Sequence, residues 1–137
     1  QNVSSLAMLK ISIGNDYQSL NNPQLASQFY QDAFSLAWSL QQYAIAGDAL
    51  KSLGRLYQEH EQWESALQIY QELIAIEQQS YNLYGLMNTY DYIAMIHREK
   101  QQYNQAMEYL QKALEIARHL NHKEDYFSQK ITEMNNK

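Results

Sequence analysis

The sequence predicts an all-α repeat protein, and three observations carry that reading. Gln, Glu, Leu, Ala and Lys, all good helix formers, are plentiful in its 137 residues. Chain breakers are scarce: one proline and four glycines leave no room for long irregular stretches or a turn-rich β-sandwich. The sequence also matches itself at a shift of forty residues. Alternating polar and apolar runs, the mark of half-buried strands, are missing.

Under that shift the residues fall into columns. Gly14, Gly54 and Ala94 align, then Tyr17, Tyr57 and His97, then Ala26, Ala66 and Ala106. Tyr30, Tyr70 and Leu110 follow, then Ala33, Leu73 and Ala113, then Phe34, Ile74 and Leu114. A small residue on a first helix lets a second helix approach closely, and the ring one turn later fills the space beside it. The invariant Ala column belongs to the second helix, where bulk would push the pair apart. Residues four and seven beyond each Ala share its face.

Breaks separate the helices. Asn22-Pro23 reads as an N-cap followed by proline at the first helical position. His60–Gln62 and Lys100–Gln102 are the equivalent turns, with Trp63 and Tyr103 in the column of Pro23. Between units come Gln41–Tyr43, Gln79–Asn82 and Asn121–Lys123. The register therefore predicts first helices near 5–20, 44–59 and 83–99, second helices near 23–40, 62–79 and 102–120, and a last helix near 123–135. One domain over 1–137 is expected, with repeats at 5–42, 43–82 and 83–122 and a capping helix at 123–135 whose outer side is polar through Gln129, Lys130 and Glu133.

These residues resemble the tetratricopeptide repeat family, whose pattern is W-x2-L-G-x2-Y, then A-x3-F, then P. Leu50-x2-Leu53-Gly54-x2-Tyr57 followed by Ala66-x3-Tyr70 matches it with Leu for Trp. Lys10-x2-Ile13-Gly14-x2-Tyr17 with Ala26-x3-Tyr30, and Tyr90-x2-Ile93-Ala94-x2-His97 with Ala106-x3-Leu110, are looser copies. The period of forty exceeds the common repeat of about 34, and the closing Pro is absent from each copy. Both departures fit longer helices, and the run from Ala113 to Glu124 is similar to the long-helix repeats of kinesin light chains and bacterial regulators. The resemblance implies an α-solenoid of three helix-turn-helix repeats plus a cap, and a non-catalytic protein-binding role.

Charge narrows the partners. Net charge is −5, with no basic block, which argues against nucleic acid and against an anionic membrane surface. No apolar run approaches the about 18 residues of a membrane span. The first residues lack the basic and apolar regions of a signal peptide, and the chain starts without Met, as an excised piece of a longer protein would. The absence of cysteine is compatible with the cytosol, so a cytoplasmic location is expected.

No Ser/His/Asp set, phosphate loop or HExxH motif appears, so no enzyme is expected. His119-x2-His122 with Asp125 has ligand-like spacing but falls at a helix end, where solvated histidines suffice; no metal or cofactor is expected. His97 reads as a buried ring with a polar partner. The carboxylates, spread as Glu59, Glu61, Glu64, Glu72, Glu77 and onward, mostly read as solvated. Of the tyrosines around the third first-helix, Tyr92 is the one expected at the surface.

In stacked helix pairs the first helices line a concave face. Removing the inward-packing Leu50, Leu53, Gly54 and Tyr57 leaves Asp48, Lys51, Ser52, Arg55, Gln58 and Glu59 on that face. The same columns give Met8, Ile11 and Asn15 before it, and Asn88, Asp91, Tyr92 and Met95 after it. Asn15, Lys51, Arg55 and Asn88 form a donor-rich centre, with Tyr92 and Met95 supplying aromatic and apolar surface. A peptide with an acidic or C-terminal carboxylate suits that set. Family members that hold chaperone tails use a Lys/Asn/Arg clamp. The resemblance puts Asn15 in one clamp column, with Ile11 and Tyr92 where a Lys and an Arg would stand. Two other roles fit the same residues: a self-association module forming homo-oligomers, and a regulatory sensor segment of a longer signalling protein.

Overall fold

In the computed structural model, which describes residues 2–136, the chain runs α1 (Asn2–Ser19), α2 (Pro23–Ser39), α3 (Tyr43–Glu59), α4 (Trp63–Gln79), α5 (Leu83–Glu99), α6 (Tyr103–Leu120) and α7 (Glu124–Asn135). The described residues contain no strand. The forty-residue register thus yields three helix-turn-helix repeats and a terminal helix. Asn22 caps α2 as expected, its side-chain oxygen accepting from the Leu25 N–H, and Asn82 does the same for α5 through Gly85.

Six turns share one construction, spaced twenty residues apart. Asn21, Gln41, Glu61, Tyr81, Gln101 and Asn121 are left-handed, with φ between 53° and 60°. The N–H of the next residue donates to the carbonyl five positions back: Asn22 to Tyr17, Gln42 to Ala37, Gln62 to Tyr57, Asn82 to Glu77, Gln102 to His97 and His122 to Ala117, at 2.8–3.0 Å. That is the Schellman closure of a helix end. None of the six is glycine, although this backbone costs an L-residue about 1–2 kcal/mol. Glu61→Gly should therefore raise stability by about 0.5–1 kcal/mol in urea melts, net of glycine's greater freedom when unfolded. An unchanged or lowered midpoint would mean that Glu61 makes side-chain contacts worth more than the backbone relief.

The chain divides into two compact units, up to Ile76 and from Glu77 onward, with the boundary in the last turns of α4. In the first unit, α2 packs along α1 and α3, and Ala26, Tyr30, Leu53 and Leu56 form a core cluster. The glycine column has a definite cause here. A Cβ on Gly14 would stand 2.6 Å from the Tyr30 ring, and one on Gly54 would stand 2.5 Å from the Tyr70 ring. The ring that each glycine admits comes from the second helix of its own repeat. Tyr17 and Tyr57, which the sequence placed beside the glycines, are only half-buried, and Tyr17 stacks on Phe29 instead.

In the second unit α6 packs against α5 and α7. Ala94 occupies the glycine column and Leu110 the tyrosine column, both fully buried. Where a methyl is added on the first helix, the facing ring gives way to a smaller side chain. Phe127 and Met134 of α7 are buried, so this helix covers the apolar flank of α6. Lys130 does not lie on the outer polar side, where the sequence placed it. Its side chain is only 17% exposed and pairs with Asp91.

Candidate functional site

In the first unit, Asn15 of α1 and Lys51 and Arg55 of α3 are all exposed, and α1 and α3 are in contact. Helical spacing puts Lys51 and Arg55 one turn apart on the same face. The second-helix tyrosines reach this face from below. Passing under Gly14, Tyr30 brings its hydroxyl within 2.6 Å of Asn15 Oδ1 and 2.8 Å of Gln18 Oε1. Gln18 Nε2 in turn donates to Glu59 at 2.6 Å, tying α1 to α3. Tyr70 repeats the device under Gly54, its hydroxyl donating to Gln58 Oε1 at 2.7 Å. Burial and then the Glu59 charge push the Tyr30 pKa up, so the phenol stays protonated and able to donate. The sequence does not announce this link, because Tyr30 sits in a core column and only the glycine opposite lets it through.

Acidic neighbours temper the cations. Desolvation raises the Asp48 carboxyl pKa, and Lys51 opposes that shift, so the two groups are close enough to interact.

In the second unit, Asn88, Tyr92 and Met95 of α5 are half-buried. Asp91, on the same face, is engaged by α7. Lys130 Nζ lies 2.9 Å from Asp91 Oδ1, and the Tyr126 hydroxyl donates to Asp91 Oδ2 at 2.7 Å. The Lys130 ammonium also stands 3.5 Å from Met95 Sδ and 4.3 Å from the Tyr126 ring centre. Met95 therefore lies against Lys130 of α7. Of the tyrosines around α5, Tyr81, at 86%, and Tyr84, at 50%, are the exposed ones, while Tyr92, expected at the surface, is half-buried.

Glu77 departs furthest from the sequence reading. It is buried, not solvated, and accepts from the Thr89 hydroxyl at 2.8 Å. A Cβ on Gly85 would meet its other oxygen. Ala37 and Ala117 hold the same column in the neighbouring repeats, so the break in an alanine column was the available signal.

His97 meets its expectation of a polar partner: Nδ1 lies 2.7 Å from Gln102 Oε1, and the ring stacks on Tyr109. His122 lies against the Tyr84 ring, and Arg118 pairs with Glu124 at 3.1 Å. Among the described residues no group of three His, Asp or Glu side chains is placed to hold a metal ion.

Family profiles for the tetratricopeptide repeat match residues 49–80 and 86–122, the second and third helix pairs. The chain belongs to the tetratricopeptide repeat family. No curated protein sequence matches it. The tetratricopeptide fold is shared with aspartyl phosphate phosphatase F from Bacillus subtilis (TM-score 0.82, 23% identity), over 87% of this chain and 31% of that one. It is shared with the tetratricopeptide domain of Arabidopsis FLU (TM-score 0.75, 22% identity), over 87% of this chain and 98% of that one. Kinesin light chain-like repeats from Podosopora anserina also align (TM-score 0.73, 15% identity), over 96% of this chain and 66% of that one. The chain thus spans under a third of the Bacillus phosphatase. Tetratricopeptide repeats generally serve as non-catalytic interaction modules. No helix among the described residues is long and apolar enough to cross a membrane.

Proposed function

We propose that this tetratricopeptide chain is a non-catalytic protein-interaction scaffold that holds a peptide segment on its first-helix faces. The observation that carries the reading is the pair Lys51 and Arg55, exposed one turn apart on α3 in a chain of net charge −5. Two cations on one face favour a partner with an acidic side chain or a C-terminal carboxylate. Arg55 can grip a carboxylate through two parallel hydrogen bonds, and Lys51 adds a point charge. The oxygen of Asn15 is turned toward Tyr30, so its NH2 group is the one available to a partner. In the second unit, Asn88, Tyr92 and Met95 would serve a partner's polar and apolar side chains. Nucleic acid and membrane surfaces are disfavoured by the acidic charge, and the location that fits a cysteine-free scaffold is the cytoplasm.

The test is charge reversal, using a partner segment recovered by pull-down from native lysate. Lys51→Glu plus Arg55→Glu should weaken its binding tenfold or more, about 1.4 kcal/mol, without loss of helicity. Wild-type affinity should fall as salt rises. Glu64→Lys plus Glu72→Lys, both exposed on α4, should leave binding nearly intact. Damage from the α4 pair with silence from the α3 pair would move the site to the second helices.

A further inference from the structure

The first unit carries a groove on the side of its second helices. Its wider end, about 500 Å³, is lined by Pro23, Gln24, Ser27 and Gln28 of α2 and by Leu56 and Tyr57 of α3. Its narrower end, about 250 Å³, has half-buried Phe34 and Ile69 at its sides, buried Leu50 and Leu53 beneath, and exposed Glu72 of α4 beside them. Tyr57 lines both ends, and its hydroxyl lies 3.5 Å from Ser27 Oγ. Helical spacing puts Lys51 and Arg55 about 150° round α3 from Leu50, Leu53 and Tyr57, so the groove is separate from the cationic face.

One wall is built of amides. Gln24, Gln28, Gln31 and Ser35 fall on a single stripe of α2, each three or four residues from the next, and all are exposed. A side-chain amide offers both a donor and an acceptor, as a peptide group does. Residues four apart on a helix rise about 6 Å, close to the about 6.8 Å between alternate residues of an extended strand. The charge of the other wall has one sign. Helices α2 and α4 hold Asp32, Glu64, Glu72 and Glu77 and no Lys or Arg, so neither wall brings Glu72 a cation. The repeat does not demand an acid there: Lys112 holds the same column in the third repeat, over the Tyr90 and Tyr109 rings.

We infer that this groove takes an extended peptide segment carrying Lys or Arg beside a large apolar side chain. The cation meets Glu72. The apolar side chain enters the narrow end between Phe34 and Ile69. Main-chain amides run along Gln24, Gln28 and Gln31, and the stripe to Ser35 spans about 16 Å, room for about five extended residues. An acidic segment, which suits Lys51 and Arg55, is repelled here by Glu72. The first unit thus offers two faces for partners of opposite charge.

Fluorescence anisotropy with end-blocked heptapeptides on the whole chain tests the assignment. The peptide alternating Lys and Leu should bind at least about tenfold more tightly than one alternating Glu and Leu, and than one alternating Lys and Ser. Glu72→Lys should weaken the Lys–Leu peptide at least about fivefold. Asp32→Lys makes the same charge change at an exposed α2 residue outside the groove lining, and should alter binding less than about twofold. Equal losses from the two substitutions would mean attraction to overall negative charge and overturn the assignment. So would a Lys–Leu peptide that fails to bind, or a Lys–Ser peptide that binds as well, since the apolar anchor would then have no role.

Discussion

Phe127→Ala should cost about 3–5 kcal/mol, the range for emptying a fully buried aromatic site. Phe127 is 0% exposed, on a helix of only twelve residues. Little else of α7 is buried apart from Met134. The Asp91 pairing with Lys130 and Tyr126 remains, but Lys130 and Asp91 are only 17% and 14% exposed, so its worth depends on the packing that Phe127 holds in place. A cap on the loss follows. If α7 docks by less than the ring contributes, the helix undocks first and the deficit stops at its docking energy. Hydrogen exchange separates the two outcomes: α7 amides alone lose protection in one, and the whole second unit loosens in the other. Gln129→Ala, exposed on the same helix, should be nearly neutral. A Phe127→Ala protein with unchanged urea midpoint and a protected α7 would remove the helix from its role as a cover.

Gly54→Ala should destabilise by about 1–3 kcal/mol, although alanine is the better helix former by about 1 kcal/mol. The added methyl would stand 2.5 Å from Tyr70 Cε1 and 2.9 Å from Cδ1. Those are atoms of a fully buried ring, which cannot swing aside as the tip of a flexible chain would. The third repeat shows the compensating pair, Ala94 with Leu110. Tyr70→Leu should therefore relieve Gly54→Ala. In a double-mutant cycle, the pair should cost at least about 1 kcal/mol less than the sum of the singles. Tyr70→Leu alone loses the ring and the bond to Gln58. Additive losses would show that the correlated swap in the third repeat has another origin.

The repeat columns were legible because helices in a stacked array impose one steric demand per position, and the demand recurs. Ala26, Ala66 and Ala106 are each 0% exposed, as an invariant small residue implies. Turn positions were legible through Asn22-Pro23 and its equivalents, but their backbone was not. Asn21 and Asn121 are of the type that visits this region, but Gln41, Glu61, Tyr81, Gln101 and Lys123 carry no strong signal for positive φ. Glu77 was misread because a carboxylate on a helix reads as solvated unless its column is compared with Ala37 and Ala117. Lys130 was misread because its partner, Asp91, lies 39 residues earlier, beyond any local pattern.

The candidate site was legible in part. Elimination of packing columns left Asn15, Lys51 and Arg55, and these are exposed. Elimination could not show that Asn15 and Gln18 share a buried phenol, because that contact runs from the second helix through the gap a glycine leaves. Nor could it show that α7 engages Asp91 and touches Met95, which depends on where the terminal helix docks.

Site-specific photo-crosslinking to the recovered partner tests the functional claim most directly. One crosslinking residue replaces Asp48, exposed beside Lys51 on α3, and another replaces Gln68, exposed on α4. The partner should be captured from position 48 and not from position 68, with capture from 48 reduced by added salt. Capture from position 68 with none from position 48 would contradict binding on the first helices and place the partner on the second.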